Sequence, residues 1–242
     1  MRVAVLVPAA GAGVRMGKGT KKQFLLLDGR PILAHTLARF EGIAEVTEII
    51  PIVPEEELEH CLEKCVEVQG LKKVKRVVPG GAQRQDSVYN GLKAVEPDTD
   101  YVMVHDGVRP FITEELIHLL LQSVKGCDGV ILAVPSKDTL KEVSKDMTVR
   151  KTLDRKNCYM VQTPQLFSYG ALKSAFEKAY AEGYYGTDEA SLVERDGGKV
   201  RVAMGSYANI KITTPEDMIL AEAILRKEAL KKAAEKDAAR PR

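Results

Sequence analysis

The sequence lacks a surplus of charge of either sign. Its 36 lysine and arginine residues nearly balance its 34 aspartate and glutamate residues over 242 positions. A protein that follows a nucleic-acid backbone or holds to an anionic bilayer needs a clear positive excess. The composition therefore argues against nucleic acid and membrane as partners, and any anion that this chain binds must be met by a few local cations.

Long hydrophobic runs and paired cysteines are also missing. No apolar stretch approaches the roughly 20 residues that a membrane-spanning helix needs. No basic leader or apolar signal region precedes the first predicted strand, so we expect a cytoplasmic protein. Of the four cysteines, Cys61 and Cys65 lie on one predicted helix while Cys127 and Cys158 are isolated. This spacing indicates neither a metal site nor a disulfide framework, and we expect reduced thiols.

Short apolar runs alternate with amphipathic stretches through the first half of the chain. We predict strands at residues 3–7, 49–53, 74–78, 101–104 and 130–134, and helices at 32–40, 55–68, 87–95 and 114–124. Alternation of this kind is typical of a parallel sheet with crossover helices. The predicted fold class is therefore α/β and Rossmann-like, with a mostly parallel sheet flanked by helices.

The alternation stops after Pro135. Residues 136–160 form a charged, alternating stretch that fits a projecting β-arm, and an exposed hairpin of this size usually meets a partner. Further on we predict helices at 169–182 and 188–195, strands at 199–204 and 209–212, and a last helix after Pro215. Length indicates a single domain, which we place over residues 1–226 with the arm included. The charged segment 227–242 has few apolar positions, so we predict a fraying tail there.

A glycine-rich loop follows the first predicted strand, over residues 8–23. Small residues at a strand end let backbone N–H groups approach a phosphate closely, which favours an anion site. The spacing disfavours a Walker loop, because its two glycines lie five apart whereas Gly11 and Gly17 lie six apart. A dinucleotide fingerprint is excluded because Met16 stands where its third glycine belongs.

Basic residues crowd the same loop. Arg15, Lys18, Lys21 and Lys22 supply four positive charges, which suit a triphosphate better than a dinucleotide. Fixed positive charge stabilises the phosphate oxygens in the transition state of phosphoryl or nucleotidyl transfer, and Arg15 and Lys22 are suited to that task. A solvated basic loop without a ligand is the alternative interpretation.

Two more polar segments stand at predicted strand ends. Segment 79–87 reads Pro-Gly-Gly-Ala-Gln-Arg-Gln-Asp-Ser. It fits a loop that reads a base and ribose, and equally a helix-capping loop with Asp86 or Ser87 as the cap. Asp106 fits metal–nucleotide or hydroxyl contacts, and it also resembles the Walker-B acid of a phosphate-loop NTPase, which stays open as a rival. His105 lacks a motif partner, so we interpret it as structural.

Eight short motifs occur in order along residues 3–225. They are Pro-Ala-Ala-Gly-x-Gly-x-Arg-Met, Lys-Gln-Phe, Asp-Ser-Val, His-Asp-Gly-x-Arg-Pro, Asp-Thr at 138–139, Thr-Pro-Gln at 163–165, Thr-Asp-Glu-Ala-Ser at 187–191 and Asn-Ile-Lys-Ile-Thr at 209–213. Together they resemble the 2-C-methyl-D-erythritol 4-phosphate cytidylyltransferase family of the non-mevalonate isoprenoid pathway. The resemblance implies a fold of the nucleotide-diphospho-sugar transferase type and transfer of CMP from CTP to the methylerythritol phosphate, with release of pyrophosphate.

The resemblance also implies roles for individual residues. Arg15 and Lys22 would be catalytic and stabilise the charge that develops as the acceptor phosphate oxygen attacks the α-phosphorus of CTP. A divalent cation, usually magnesium, would lie on the CTP phosphates and be held largely by them; its protein ligands are left open, and Asp106 is a candidate on its position at a strand end. The nucleotide would meet Ala9, Ala10, Gly11, Ala12, Gly13, Gly81, Ala82, Ser87, Asp106 and Gly107. The acceptor would meet Arg109, Thr139, Arg155, Thr163, Thr187 and Lys211.

The family resemblance further implies a homodimer, because the projecting arm of such enzymes crosses to a second subunit and Arg155 would serve its neighbour's site. Three positions depart from the family pattern: Ala82 replaces a common acidic residue, Lys21 replaces a proline, and Gly107 replaces an alanine. The nearest alternative function is a ribitol 5-phosphate cytidylyltransferase. An alternative of another class is a nucleotide sensor that binds CTP without turnover.

Overall fold

The chain folds around a seven-stranded sheet in which most neighbouring strands run parallel. This computed structural model describes residues 1–11 and 21–238. The strands are β1 (Val3–Pro8), β2 (Leu26–Leu27), β3 (Arg30–Pro31), β4 (Val46–Val53), β5 (Val78–Pro79), β6 (Tyr101–Val104), β7 (Gly129–Pro135), β8 (Lys141–Val143), β9 (Val149–Thr152), β10 (Tyr159–Ser168) and β11 (Val200–Met204). The main sheet has the order β11-β7-β10-β6-β1-β4-β5. Only β10 runs antiparallel to its neighbours in the described sheet.

Helices cover both faces of this sheet. They are α1 (Ile32–Glu41), α2 (Leu58–Cys61), α3 (Arg84–Lys93), α4 (Glu114–Ser123), α5 (Tyr169–Ala181), α6 (Glu189–Arg195) and α7 (Pro215–Ala238). Along β1, Val3, Val5 and Val7 pack with α1 and α4 on one face, whereas Ala4 and Leu6 pack with α3 and α5 on the other. A strand buried on both faces needs a continuous apolar run, which β1 has. The predicted mostly parallel α/β fold is confirmed.

Three local predictions are wrong, and one strand was missed. The strand predicted at 74–78 is reduced to β5 (Val78–Pro79), which stands at the sheet edge, where a proline is tolerated. The helix predicted at 55–68 is broken into a 3-10 turn, α2 and a π-helical segment. Residues 209–212 are irregular rather than a strand. The central strand β10 was not predicted, because Thr163 and Pro164 interrupt its apolar pattern at a bulge in the ladder with β7.

The charged stretch after Pro135 contains a hairpin, as predicted. Strands β8 and β9 pair antiparallel with each other, and every residue in them is exposed. That this hairpin projects to a partner stays a prediction.

The C-terminal helix α7 continues past the predicted domain boundary at residue 226 to Ala238. Glu228 lies beyond that boundary and accepts a hydrogen bond from Arg39 on α1 at 2.8 Å. The first turns of the segment predicted as a tail therefore contact the domain, because a charged side chain substitutes for the missing apolar positions. Within residues 1–11 and 21–238, no helix is long and apolar enough to cross a membrane.

Candidate active site

Two cavities of about 340 Å³ each meet at the carboxyl edge of the sheet. Three charged residues line both of them, and we call Arg84, Asp106 and Lys211 the charged wall. The first cavity is lined by the predicted residues Ala9, Ala10, Gly11, Lys22, Gly81, Ala82, Ser87, Asp106. The second is lined by the predicted residues Arg109, Thr163, Thr187 and Lys211. Most of the predicted nucleotide residues thus line the first cavity and most of the predicted acceptor residues line the second, while Asp106 and Lys211 line both.

The parallel sheet explains why distant segments meet there. Strands β1, β5 and β6 all end at one edge, and each is followed by a loop that contributes to the first cavity. In open α/β sheets, ligands bind in the crevice beyond the carboxyl ends of the strands. The site therefore stands where the fold class predicts it.

Close packing of these three loops shapes the first cavity. A Cβ atom on Gly80 would lie 2.4 Å from Ala10 Cβ, and one on Gly107 would lie 2.8 Å from Ala9 Cβ. Neither position accepts a side chain unless its neighbour moves. Gly107, which the family resemblance assigns to the nucleotide, packs against Pro8 and Ala9, and its N–H donates to the Pro8 carbonyl at 3.1 Å.

Two groups expected to face the nucleotide are already hydrogen-bonded within the protein. The Ala9 N–H donates to the Ile52 carbonyl at 2.7 Å, so it extends the pairing of β1 with β4 rather than facing a phosphate. The Ser87 hydroxyl donates to the Gln83 carbonyl and accepts from the Gly81 N–H, both at 3.0 Å. A hydroxyl has one proton and two lone pairs, so Ser87 keeps one lone pair for a ligand that donates.

The loop at 79–87 is also a helix cap, although the capping residue differs from the prediction. Gln83 rather than Asp86 or Ser87 is the N-cap of α3, and Asp86 at the third helical position completes a capping box. The two interpretations of this loop, capping and ligand binding, are therefore compatible, because the cap holds the turn whose residues line the first cavity.

Three cations surround the buried carboxylate of Asp106. Lys211 Nζ lies 3.0 Å and Arg109 Nε 3.2 Å from Oδ2, and Arg84 Nη2 lies 3.8 Å from Oδ1. Burial by itself would raise the pKa of Asp106, but the charges of Lys211, Arg84 and Arg109 outweigh it and hold the pKa well below its usual range. The carboxylate therefore stays ionised and holds the three cations between the two cavities.

A chain of hydrogen bonds fixes the backbone at Asp106. Its N–H donates to Thr163 Oγ1 at 3.0 Å, Thr163 Oγ1 lies 3.1 Å from His105 Nδ1, and His105 Nε2 lies 3.0 Å from the Arg109 carbonyl. Burial lowers the pKa of His105 to about 4, so the ring is neutral at neutral pH. A neutral ring that donates from Nε2 accepts the Thr163 hydroxyl proton at Nδ1, and every group in the chain is satisfied. His105 is fully buried, which agrees with its structural interpretation.

Arg84 is a site residue that the sequence analysis did not assign. Its Nη1 and Nη2 donate to Glu189 Oε1 and Oε2 at 2.7 and 3.0 Å, a bidentate pair. Beside Glu189, Asp188 caps α6 and accepts a hydrogen bond from Gln165 Nε2 at 2.7 Å. The sequence offered one indication of this pair, since Arg84 in segment 79–87 and Glu189 in motif 187–191 carry opposite charges and each begins a helix.

Some predicted site residues do not join the two cavities. Thr139 and Arg155 line neither cavity and are exposed, and the Arg155 guanidinium donates to the Lys137 carbonyl at 2.9 Å. The three predicted residues Ala12, Gly13 and Arg15 lie outside the described residues.

The expectation that Lys21 adds positive charge to the nucleotide site is wrong. Its ammonium group forms ion pairs with Glu56 and, at 3.4 Å, with Glu57, beyond the end of β4. The side chain is not among those that line the first cavity. Lys22, the next residue, lines the cavity instead.

The residues present offer little to a metal ion by themselves. Within residues 1–11 and 21–238, no group of three or more histidine, cysteine, aspartate and glutamate side chains is placed to hold one. Asp106 is the candidate ligand, but both of its oxygens face cations. A divalent ion fits here only as part of a metal–phosphate complex in which phosphate oxygens supply most of the ligands.

Comparison with known proteins identifies the family of this chain. A family model described as 2-C-methyl-D-erythritol 4-phosphate cytidylyltransferase matches residues 3–227. A protein of that name from Geotalea uraniireducens is 53% identical, over 93% of this chain and 97% of its own length. A crystal structure of 4-diphosphocytidyl-2C-methyl-D-erythritol synthase from Anaerococcus prevotii superposes with a TM-score of 0.81 at 35% identity, over 93% of this chain and 98% of that one. The enzyme of the first name from Thermus thermophilus superposes with a TM-score of 0.76 at 32% identity, over 93% and 100%. The chain belongs to the 2-C-methyl-D-erythritol 4-phosphate cytidylyltransferase family.

Proposed function

We propose that this chain transfers CMP from CTP to 2-C-methyl-D-erythritol 4-phosphate, giving 4-diphosphocytidyl-2-C-methyl-D-erythritol and pyrophosphate. The observation that carries the proposal is the pair of adjoining cavities with one charged wall. A reaction that joins a nucleotide to a second phosphate needs two anions side by side with cations between them. Arg84 and Lys211 meet that need, and Asp106 keeps them in place.

In this reaction an oxygen of the acceptor phosphate attacks the α-phosphorus of CTP. A new P–O bond forms, the bond between the α-phosphorus and its bridging oxygen breaks, and pyrophosphate leaves with the electron pair. No covalent enzyme intermediate is required, so the protein contributes position and positive charge. Lys22 lines the nucleotide cavity and supplies such a charge. Arg15, which lies outside the described residues, has the second catalytic role.

Ser87 supports cytosine as the base. The one lone pair left on its hydroxyl accepts a hydrogen bond, and the exocyclic amino group of cytosine donates one. Uracil presents a carbonyl oxygen at the same place, which would leave Ser87 without a donor. UTP should therefore be a poorer substrate than CTP by at least 10-fold, since about 1.4 kcal/mol corresponds to a factor of ten.

We infer that magnesium reaches the site on the CTP phosphates. When bound, the ion withdraws charge from the phosphate oxygens and so favours attack at the α-phosphorus. Asp106 stays ionised and would be the side chain that helps the phosphate oxygens hold the ion. Free cysteine thiols at all four positions suit a reducing compartment, which supports a cytoplasmic location.

A homodimer is the proposed assembly, with the hairpin β8–β9 as the arm that contacts the second subunit. Val143 and Val149 are exposed on this hairpin, and apolar side chains on an exposed hairpin suit a partner surface. Arg155 follows the hairpin and lines neither cavity of its own chain, which supports a role in the neighbour's site. Co-expressed Lys22→Ala and Arg155→Ala subunits should recover activity in isolated heterodimers. Heterodimers as inactive as either homodimer would rule out this crossing.

The experiment that tests the function measures pyrophosphate release from CTP and magnesium with each acceptor supplied separately. Release with methylerythritol phosphate and not with ribitol 5-phosphate is the expected result. Release with ribitol 5-phosphate alone would keep the mechanism and change the substrate. CTP binding without release would favour a nucleotide sensor instead.

A further inference from the structure

A second carboxylate, that of Asp86, lies beside the nucleotide cavity. It accepts three hydrogen bonds. Its Oδ2 accepts from the Gln83 N–H at 2.9 Å. Its Oδ1 accepts from the Tyr180 hydroxyl at 2.8 Å and from the Tyr185 hydroxyl at 3.2 Å. The capping box of α3 needs only the bond to Gln83. The two tyrosine bonds therefore come in addition to what the helix requires.

Asp86 is coupled directly to a residue that lines the nucleotide cavity. A Cβ atom on Gly81 would lie 2.4 Å from Asp86 Cβ, so these two residues are packed too closely for a side chain at position 81. Gly81 and Ala82 both line the cavity, and Ser87 holds the Gly81 N–H from the other side. A shift of Asp86 toward Gly81 would therefore displace a residue that lines the nucleotide cavity.

The two tyrosines are well placed to keep Asp86 still. The Tyr180 ring packs 4.9 Å from the Tyr89 ring and meets the Tyr185 ring edge-on at 6.2 Å. Burial, followed by the hydrogen bond to Asp86, raises the pKa of Tyr180, and the same causes raise that of Tyr185. Both hydroxyls therefore remain protonated donors at neutral pH.

Neighbouring contacts run between the same two segments. Gln85 Nε2 donates to the Tyr184 carbonyl at 3.1 Å, and the Gly186 N–H donates to Gln85 Oε1 at 2.9 Å. With the bidentate pair of Arg84 and Glu189, three consecutive residues of α3 are each bonded to the segment 180–189, which runs from the end of α5 to the start of α6. That segment includes Thr187, which lines the second cavity.

We propose that Tyr180 and Tyr185 are positioning residues for the nucleotide loop, residues 79–83, and that they act through Asp86. The inference rests on the proposed function, since it assigns CTP to the first cavity. The tyrosines do not touch the nucleotide. They hold the loop in the conformation that CTP binds, so losing them weakens CTP binding and leaves the reacting groups unchanged.

The test replaces each hydroxyl while keeping its ring, in Tyr180→Phe, Tyr185→Phe and the double variant. Each single change should raise the KM and the Kd for CTP about two- to ten-fold, and the double change should raise both more than either single change does. The kcat and the KM for the acceptor should change less than about two-fold, which separates loop positioning from general damage. The thermal midpoint of each variant should stay near that of the wild type.

Tyr89→Phe is the matched control, because the Tyr89 ring lies in the same aromatic cluster and its hydroxyl has no hydrogen-bond partner in the described part of the chain. It should leave the KM and the Kd for CTP unchanged. An unchanged Kd for CTP in the double variant, measured by calorimetry, would overturn the inference while the proposed function stands. A wild type that neither binds nor turns over CTP would overturn both.

Discussion

Replacing Asp106 by asparagine removes the negative charge from the centre of the charged wall while preserving shape. The change leaves Lys211, Arg84 and Arg109 facing one another across a neutral amide. Each of these cations loses an attractive partner and keeps two repulsive neighbours. We therefore expect Asp106→Asn to destabilise the free protein, even though asparagine still accepts one hydrogen bond.

The magnitude follows from how far these charges are removed from water. Breaking a buried ion pair by deleting one partner costs about 3–5 kcal/mol. The Asp106 side chain is only 10% exposed, but those of Lys211 and Arg84 are 39% and 35% exposed and can regain water. We therefore place the loss below that range, at about 2–3 kcal/mol in the free energy of unfolding.

Urea unfolding of the free protein at neutral pH measures this loss. The matched control is Asp98→Asn, because Asp98 pairs with Arg2 at 3.1 Å where both side chains are largely exposed. A surface pair of this kind should contribute about 0.5 kcal/mol or less. If Asp106→Asn costs no more than the control, the account of the charged wall is refuted.

The same comparison has a definite pH dependence. The pKa of Asp106 is lower in the folded protein than in the unfolded chain, where it is about 3.9. The ionised carboxylate therefore makes its full contribution to the free energy of unfolding above that unfolded value, and this contribution is lost as the pH falls through the folded pKa. The stability gap between the wild type and Asp106→Asn should therefore narrow at about pH 3. A gap that stays constant from neutral pH to that value would contradict the assignment.

Three further outcomes are expected. Lys22→Ala should lower kcat by about 10²–10³-fold, the usual effect of removing one group that stabilises transition-state charge. Lys21→Ala removes a cation that is paired with Glu56, so it should lower kcat far less. Equal losses in the two variants would refute the catalytic role of Lys22. Glu189→Gln weakens the bidentate partner of Arg84 and should raise the KM for the acceptor or CTP with little change in fold by circular dichroism. Gln23 is buried with both amide atoms unpartnered in the described structure, so Gln23→Met should stabilise the free protein by about 1–3 kcal/mol in urea unfolding, and a loss of stability would show that the amide is satisfied.

The sequence was sufficient to predict the position of the parts of the site that directly follow a strand. Asp106 and residues 8–11 each come directly after a buried apolar run, and a parallel sheet brings such ends together. The division of the site into two cavities was not predicted, and the assignment of residues to nucleotide or acceptor came from the family resemblance. The assigned roles of these residues remain proposals.

The sequence was insufficient where a contact depends on how distant segments are arranged. The pair of Arg84 with Glu189 and the bond of Tyr185 to Asp86 join residues about a hundred positions apart, and no local pattern encodes them. Strand β10 was hidden because Gln162, Thr163 and Pro164 give its centre the composition of a turn. The irregular segment at 209–212 was mistaken for a strand because Ile210 and Ile212 alternate with polar residues, whereas these apolar side chains pack against Val108 and Phe111 instead.

The position of β10 between β6 and β7 has a consequence for the order of folding. Strands β1, β4, β5 and β6 lie side by side and are all complete by residue 104, so this half of the sheet can form while later residues are still being synthesised. Strand β7 comes next in the chain but its sheet neighbours are β10 and β11, both more C-terminal. It must wait as an unpaired apolar segment until residues 159–168 are made, and its long-range pairing then adds late, slow steps to folding. During that interval β7 is the segment most in need of protection from aggregation.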